Sequence, residues 1–172
     1  MLTKIDLCSM ALLKLGEAPI SSFHENSAAA KLAQTLFEPA MDSLIASHPW
    51  RFAQKKYSLS KTSDNDFLIP AEVLRILNFD GEIIGDRIKS PGNTINVSAI
   101  IRAPVESYPS YFISLAATKL ALEFCIPLSG DQNIFRMLAA LCESESRAAR
   151  FIDSTMSANN DIAEFSLISA RY

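Results

Sequence analysis

Residues 44–59 read LIASHPWRFAQKKYSL, and this stretch separates two kinds of sequence pattern. Before it, apolar residues recur at spacings of three and four, which predicts helices. Pro49 ends the last of these helices, because proline disfavours helical geometry in the residue that precedes it. After it, short segments rich in Ile, Val and aromatic residues alternate with turn-forming residues, which predicts strands. The change of period at Trp50 therefore predicts a helical part followed by a β part.

Two helices are predicted ahead of this turn. The first covers residues 3–16, with Thr3 as its N-cap and Gly16 as its C-cap. The second covers about residues 27–47. Pro39 lies inside it, which predicts either a kink or two helices placed end to end.

A small antiparallel β-meander is predicted between the second and third helices, over about residues 55–102. Its candidate strands are Tyr57–Leu59, Glu72–Phe79, Glu82–Ile84 and Thr94–Arg102. Residues 94–99 alternate polar and apolar side chains, so one face of this strand should be exposed.

Two further helices are predicted after the β part. The third, Ser110–Ile126, is apolar on nearly every side and should be the central helix. The fourth runs from Gln132 to about Met156. Its first half is apolar and its second half is charged, so we expect the second half to project away from the core.

The predicted fold is therefore mainly α, of the α+β type. A four-helix core with the inserted meander forms a single domain over residues 1–156, and residues 157–172 form a C-terminal tail. Apolar side chains are unfavourable on a solvated tail, so it should pack on its own domain or dock on a partner. The apolar residues of this tail are Ile162, Phe165, Leu167, Ile168 and Tyr172.

Composition limits the classes of function. The formal charge of −3 argues against a protein that mainly grips nucleic acid, since such proteins carry a basic excess. The most apolar stretch, residues 111–128, contains a lysine and a glutamate and ends near Pro127, which favours a buried helix over a membrane span. No leader segment is predicted, so we expect a protein made and used in a cytoplasm.

Sequence patterns typical of catalysis are missing. The five glycines form no phosphate-binding loop, and neither a Gly-x-Ser-x-Gly elbow nor a His-Glu-x-x-His helix occurs. His24 and His48 have no orienting partner by spacing. We therefore expect no enzyme activity, no cofactor and no metal, although an enzyme with an unfamiliar site remains an alternative.

The three cysteines are an odd number and lie far apart on apolar helical faces. They are predicted to be reduced core residues rather than zinc ligands. They are Cys8, Cys125 and Cys142.

One stretch raises the question of nucleic-acid binding. Residues 51–61 carry four cations, no acid and two aromatic residues, a composition that can follow a phosphate backbone. The alternatives are a solvated edge with Phe52 facing inward, or contact with a protein partner. The four cations are Arg51, Lys55, Lys56 and Lys61.

Four blocks, in the same order along the chain, resemble the tail tubular protein A family, the head-to-tail adaptors of short-tailed phages and related gene-transfer particles. The most distinctive is the turn Pro49-Trp50-x-Phe52-Ala53 followed by a cationic strand. The blocks are IDLCSMALLKLGEAPISSFHENS (5–27), LFEPAMDSLIASHPWRFAQKKYSL (36–59), FLIPAEVLRIL (67–77) and ISLAATKLALEFCIPLSGD (113–131). Pro39 departs from the family's usual pattern.

The resemblance implies a non-enzymatic structural subunit. Such proteins form a dodecameric ring beneath the portal protein, and the tail nozzle and other tail proteins are built on that ring. The genome passes through the lumen without sequence recognition. The implied location is the head–tail interface of the virion, after assembly in the host cytoplasm and without contact to a membrane. A small nucleic-acid-binding or regulatory protein that uses residues 51–61 is the alternative.

The surfaces expected to carry assembly are the charged half of the fourth helix and the tail. The candidate partner-binding residues on that helix are Arg147, Arg150 and Phe151. Pro49, Trp50 and Phe52 are expected to be structural residues of the turn.

Overall fold

The computed structural model describes residues 1–161, with side chains to residue 156. The helices are α1 (Lys4–Lys14), α2 (Ala28–Ala46), α3 (Ser110–Leu128) and α4 (Gln132–Asp161). The strands are β1 (Gln54–Ser60), β2 (Phe67–Leu68), β3 (Val73–Asn78), β4 (Glu82–Ile84), β5 (Arg87–Lys89) and β6 (Thr94–Ile101). The structure is 51% helix and 19% strand by residue, so the fold is mixed α+β.

Local signals at the ends of α1 are confirmed. The Thr3 hydroxyl accepts a hydrogen bond from the Asp6 amide at 3.1 Å, and the Asp6 carboxylate accepts one from the Thr3 amide at 2.9 Å. This reciprocal capping box satisfies amide groups that have no partner within the helix. The C-cap is Leu15, one residue before the predicted Gly16, and Gly16 follows it with a φ of +78°, the left-handed geometry common just after a helix end.

α2 is one uninterrupted helix through Pro39, so of the two predicted alternatives, a kink or two helices end to end, the second is wrong. Pro39 deprives the Thr35 carbonyl of its usual amide donor. Both residues are exposed, and water can therefore hydrogen-bond to this carbonyl. The proline lies on the solvent face of the helix, so the missing hydrogen bond costs little free energy and the helix continues.

α3 is the central helix, as predicted. It has the length and mean hydropathy, 1.4, of a candidate membrane span. Nine of its side chains are nevertheless buried, and the helix packs against α1, α2 and α4. Its polar strip also makes contacts between helices, since Lys14 of α1 donates to the buried Thr118 hydroxyl at 2.8 Å.

α4 begins where predicted but does not leave the core in its second half. The Asp131 carboxylate caps it by accepting from the Asn133 amide at 2.7 Å. In the second half, Ala149 and Asp153 are 1% and 2% exposed. The expectation of a projecting half is wrong because two of its charged residues, Glu145 and Asp153, accept hydrogen bonds from α3.

The strands lie between α2 and α3 as predicted, but they do not form a meander. Two antiparallel three-stranded sheets are present, with orders β1-β6-β3 and β2-β5-β4. β1 pairs with β6, the last strand of the insertion, with Tyr57 opposite Val97. Strand periodicity specifies which face is buried but not which strand is the neighbour, so this pairing was not predicted.

The two sheets share a small apolar cluster of their own. Side chains of β6 on one face, Ile95, Val97 and Ala99, pack with Phe67 and Ile88 of the second sheet. The next residue of β6, Ile100, points the other way into the helical core. Because successive side chains of β6 face opposite sides, this strand packs on the second sheet with one face and on the helices with the other.

An aromatic cluster surrounds Trp50 where α2 ends. The indole is fully buried and meets Phe112 of α3 edge-on, with ring centroids 5.0 Å apart. Phe52 and Tyr108 pack on the same Phe112 ring at 4.7 and 5.0 Å. The indole Nε1–H donates to the Leu44 carbonyl at 3.2 Å, so the polar atom of the ring is also satisfied.

Replacing Trp50 with alanine should lower the free energy of unfolding by about 3–5 kcal/mol, because the change leaves a cavity within this cluster. Urea unfolding followed by circular dichroism would measure the loss. Phe151→Ala is a matched control on an exposed aromatic residue and should change stability by less than about 0.5 kcal/mol. Equal losses for the two variants would contradict the assignment of Trp50 as the structural centre.

Candidate docking surfaces

The turn at Trp50 is held to α4 by one buried carboxylate. Asp153 accepts a hydrogen bond from the Tyr111 hydroxyl at 2.7 Å and from the Arg51 backbone amide at 3.2 Å. The His48 Nε2 atom lies 3.7 Å from the same carboxylate. We call Asp153, Tyr111, His48 and the Arg51 amide the Asp153 cluster. It fixes the second half of α4 against the end of α2 and the start of β1.

The sequence did not reveal this cluster. Asp153 lies 105 positions after His48, so no local spacing pairs them, and it resembled one more charged residue on a solvated helix. The one available signal is that Asp153 follows the apolar Ala149 by four residues, which places both on one side of the helix.

The protonation of the cluster follows from its burial. Burial lowers the pKa of His48, and Arg150 and Arg75 lower it further, while Asp153 opposes them. Burial and the hydrogen bond to Asp153 raise the pKa of Tyr111. The tyrosine hydroxyl therefore remains a hydrogen-bond donor at neutral pH.

The exposed side of α4 carries both apolar and charged side chains. Met137 and Phe151 are 73% and 69% exposed, and Leu141 and Ile152 accompany them. At 100° per residue these four side chains form one apolar stripe. Arg147 lies beside this stripe, and Arg136, Glu143 and Arg150 lie farther round the exposed side of the helix. We call these eight residues the outer face of α4.

Three of the predicted partner-binding residues, Arg147, Arg150 and Phe151, lie on this outer face. Arg147 is 3.5 Å from Glu143 one turn earlier, an exposed pair that contributes little to stability. The outer face carries three arginines and one glutamate, so it is both apolar and cationic. The other predicted partner-binding residues fall outside the described residues: Ile162, Phe165, Leu167, Ile168 and Tyr172.

The basic stretch does not form one cationic patch. Lys55 donates to Glu72 at 2.9 Å, and the Tyr57 hydroxyl donates to the same carboxylate. Lys61 donates to Asn65 at 2.9 Å. Lys56 lies one position out of phase with Lys55, so it faces the other side of the strand.

Lys56 belongs to a polar concave surface on the first sheet. This surface encloses about 620 Å³ and is lined mainly by hydroxyl and amide side chains. Its polar side chains are Lys56, Ser58, Asn78, Asp80, Asn96 and Ser98. The ammonium groups of Lys55, Lys56 and Lys61 therefore lie in three different surroundings. Nucleic-acid binding by this stretch remains a prediction, and the structure does not gather its lysines into one patch.

Two exposed apolar side chains, on opposite faces of the sheet, lie on the hairpin formed by β4 and β5. Ile83 and Ile84 are 42% and 48% exposed on the edge strand β4. Three acids in the same segment, Asp80, Glu82 and Asp86, are also exposed. The sequence pattern predicts β4 but does not indicate that residues 80–86 are exposed.

The cysteines are free thiols. Cys8 and Cys125 are buried and Cys142 is half-buried. Burial raises the pKa of Cys8 to about 12, so it is uncharged at neutral pH and a poor nucleophile. Among the described side chains, no group of three or more His, Cys, Asp or Glu residues is placed to hold a metal ion.

No protein-family model and no curated protein matches this chain. A functional assignment therefore depends on the four sequence blocks and on the surfaces described above.

Replacing Tyr111 with phenylalanine should lower the free energy of unfolding by about 1–2 kcal/mol, because a hydrogen bond to a largely buried carboxylate is lost. Urea titration would measure this change. Tyr57→Phe removes a hydroxyl that donates to the exposed Glu72 and should cost less. A larger loss for Tyr57→Phe than for Tyr111→Phe would contradict the importance of the Asp153 cluster.

The His48 pKa predicts a loss of stability in mild acid. Because this pKa is lower in the folded chain than the value of about 6.5 expected on unfolding, the unfolded state binds the proton more tightly. The free energy of unfolding should therefore fall as the pH drops from about 7 through 6.5 towards 5.5. His48→Gln should reduce this decline, whereas His24→Gln in an exposed loop should preserve it. Identical pH profiles for the two variants would refute the role given to His48.

Proposed function

We propose that this chain is a structural subunit that forms a ring beneath the portal of a tailed phage and connects the capsid to the tail. The observation that carries the proposal is the outer face of α4. Large apolar side chains on a well-packed helix are unfavourable in water, and exposed apolar patches mark protein contacts. A subunit of a ring needs such surfaces, because each copy contacts two neighbours.

The resemblance adds the identity of the assembly. The turn Pro49-Trp50-x-Phe52-Ala53 is its most distinctive part, and in the fold these residues surround the junction of α2, β1 and α3. Trp50 and Phe52 pack closely on Phe112 at this junction, which is a physical reason for aromatic residues at these two positions.

The proposed role requires no chemical reaction and no cofactor. The partners are other copies of the chain, the portal protein and the tail proteins that are added later. The genome passes through the lumen, and an acidic balance suits a channel along which DNA slides. The proposed site of action is the head–tail interface of the virion.

Deleting the gene should give DNA-containing capsids that lack tails, and mixing the purified chain with its cognate portal should give a complex with a ring of the chain. Electron microscopy of particles and of the mixture would detect both. A chain that stays monomeric with the portal, and whose deletion leaves tail attachment intact, would refute the proposal.

A matched pair of variants tests the part played by α4. Phe151→Asp, on the outer face, should reduce the number of tailed particles when it replaces the original chain. Ile126→Asp places the same charge at an apolar position on α3 that is 52% exposed, and it should have a smaller effect. A stronger defect for Ile126→Asp than for Phe151→Asp would contradict the assignment of the contact to α4.

A further inference from the structure

We propose that the side chains of Arg51, Arg75 and Arg150 form a site, beside the Asp153 cluster, that binds phosphate groups of a DNA backbone. The inference deepens the proposed function, because it names the surface of the subunit that meets the genome, and the choice of DNA as the ligand rests on that function. The three arginines come from the turn after α2, from β3 and from α4.

The Asp153 cluster brings Arg51 and Arg150 together. The Arg51 amide donates to the Asp153 carboxylate at 3.2 Å, which places Arg51 against the second half of α4. Arg150 precedes Asp153 by three residues, so these two side chains are neighbours on the surface of the helix. Arg51 and Arg150 are both exposed, and their guanidinium groups are therefore open to a ligand.

The strand register places Arg75 on the helical side of the first sheet. Arg75 lies opposite Ile100 in the β3–β6 pair, and residues directly opposite each other share a face of the sheet. Ile100 packs into the helical core, and β3 contacts α2. The side chain of Arg75 therefore lies on the side of the sheet where α2 ends.

The pKa values of His48 and Tyr111 show that all three positive charges act at this place. Burial lowers the pKa of His48 most, and the charges of Arg150 and Arg75 lower it further. Burial raises the pKa of Tyr111, and the charge of Arg51 opposes that rise. Because the effect of a charge falls off with distance, the three guanidinium groups lie near these two side chains.

The site carries more positive than negative charge. Among the described side chains, none of the three arginines forms an ion pair with a carboxylate. Within the same part of the chain, Asp153 is the one acid whose charge acts on His48. The Asp153 side chain is 3% exposed and already accepts hydrogen bonds from Tyr111 and the Arg51 amide. Three guanidinium groups against one carboxylate leave an excess of two positive charges, which attracts anions.

The chemistry of arginine suits phosphate groups. The planar guanidinium group presents paired N–H donors that match the oxygens of a phosphate, and it stays charged at any physiological pH. A site built from three such groups on three separate elements can contact several phosphate oxygens at once. Carboxylates of a protein partner fit the same donors, so the surroundings of the site decide between the two.

The surroundings of the site are polar. A protein contact usually has an apolar centre, whereas a contact with a nucleic-acid backbone is polar and cationic. Phe151 of the apolar stripe lies about 100° from Arg150 around α4. In the adjoining turn, Ser47, Pro49 and Gln54 are exposed, and none of them is a large apolar residue. These neighbours favour DNA over an acidic protein.

α4 carries a further cation in line with the site. Arg136, Arg147 and Arg150 lie within about 60° of one another around the helix and span about 21 Å along it. Glu143 lies in the same row at 3.5 Å from Arg147, so this pair is close to neutral. Arg136 is then a second cationic point at the far end of the row. Cations spaced along a line fit the repeating charge of a phosphate backbone better than they fit a single anion.

Contacts of this kind agree with a genome that passes without sequence recognition. Phosphate contacts carry no information about the bases. Binding through a few of them is sensitive to salt and lets a protein slide along DNA. A site with three arginines in each copy can therefore guide DNA without holding it in one place.

Removing two of these charges should weaken the binding of DNA by the full chain. Arg51→Gln with Arg150→Gln should bind a short labelled duplex of mixed sequence on the order of tenfold more weakly at low salt, because two phosphate contacts are lost. The slope of log K against log salt concentration should become shallower by about two, since each contact contributes about 0.9 to it. Fluorescence anisotropy at several salt concentrations would measure both effects.

The matched control is Lys56→Gln with Lys61→Gln, which removes the same number of charges from the basic stretch and leaves the site intact. It should change the slope by less than about one. A change as large as that of the arginine variant would overturn the site. Urea unfolding of both variants would show that the fold is intact, and Arg150→Gln alone gives a second test at an exposed helix position.

The two histidines report where the duplex binds. A phosphate group held between Arg75 and Arg150 adds negative charge beside His48 and should raise the pKa of His48. The imidazole signals of His24, in an exposed loop, should not respond to the duplex. Proton NMR titration of the full chain with and without the duplex would measure this. A His48 titration that the duplex leaves unchanged would overturn the site.

Two further probes decide the source of the anion. Polyglutamate and inorganic phosphate, compared at the same ionic strength, should shift the His48 titration only at higher concentrations than the duplex. Tighter binding of polyglutamate would overturn DNA as the ligand and indicate an acidic protein partner. A response to inorganic phosphate without a response to the duplex would indicate an adventitious ion only, and would also overturn it.

Failure of the site and failure of the proposed function are distinguishable. A chain that forms rings on the portal but fails the DNA tests would overturn the site and leave the proposed function in place. A chain that binds the duplex as expected but forms no ring on the portal would overturn the proposed function and leave the site in place.

Discussion

The burial of the Trp50 indole is the constraint on which the arrangement of the other elements depends. The ring is enclosed by the end of α2, the start of the β layer and the aromatic side chains of α3. Its Nε1–H needs an acceptor once buried, and the carbonyl of Leu44 in the last turn of α2 supplies it. The end of α2 and the first strand thus take their positions from one side chain. α4 is then added to the same junction through Asp153.

The parts of the fold that could be predicted from the sequence depend on local chemistry. The capping of α1 requires only Thr3 and Asp6 at the right spacing, and the central place of α3 follows from its apolar circumference. The β1–β6 pairing and the Asp153 cluster depend on residues about 40 and 100 positions apart. No period or cap reports such contacts, so the strand order and the docking of α4 had to come from the structure.

Charge illustrates the same limit for the candidate surfaces. A formal charge of −3 in 172 residues suggests an unremarkable mixture of signs. The fold instead places three arginines, Arg136, Arg147 and Arg150, on the exposed side of α4. This group is small, and it becomes visible as part of a surface only because exposed apolar side chains accompany it. A local excess of one sign affects which surface a partner meets first, even when the net charge is small.

Trp50 is the single tryptophan of the chain, and this has a spectroscopic consequence. Its indole lies at the junction of the helices with the β layer, 4.6 Å from the imidazole of His48. Indole emission responds to water and to a nearby cationic imidazole, so the intrinsic fluorescence of this protein reports on one place only. A change in that emission during assembly would show that the subunit adjusts at its own centre when neighbours bind. Constant emission would show that the surroundings of Trp50 stay unchanged when the subunit joins its neighbours.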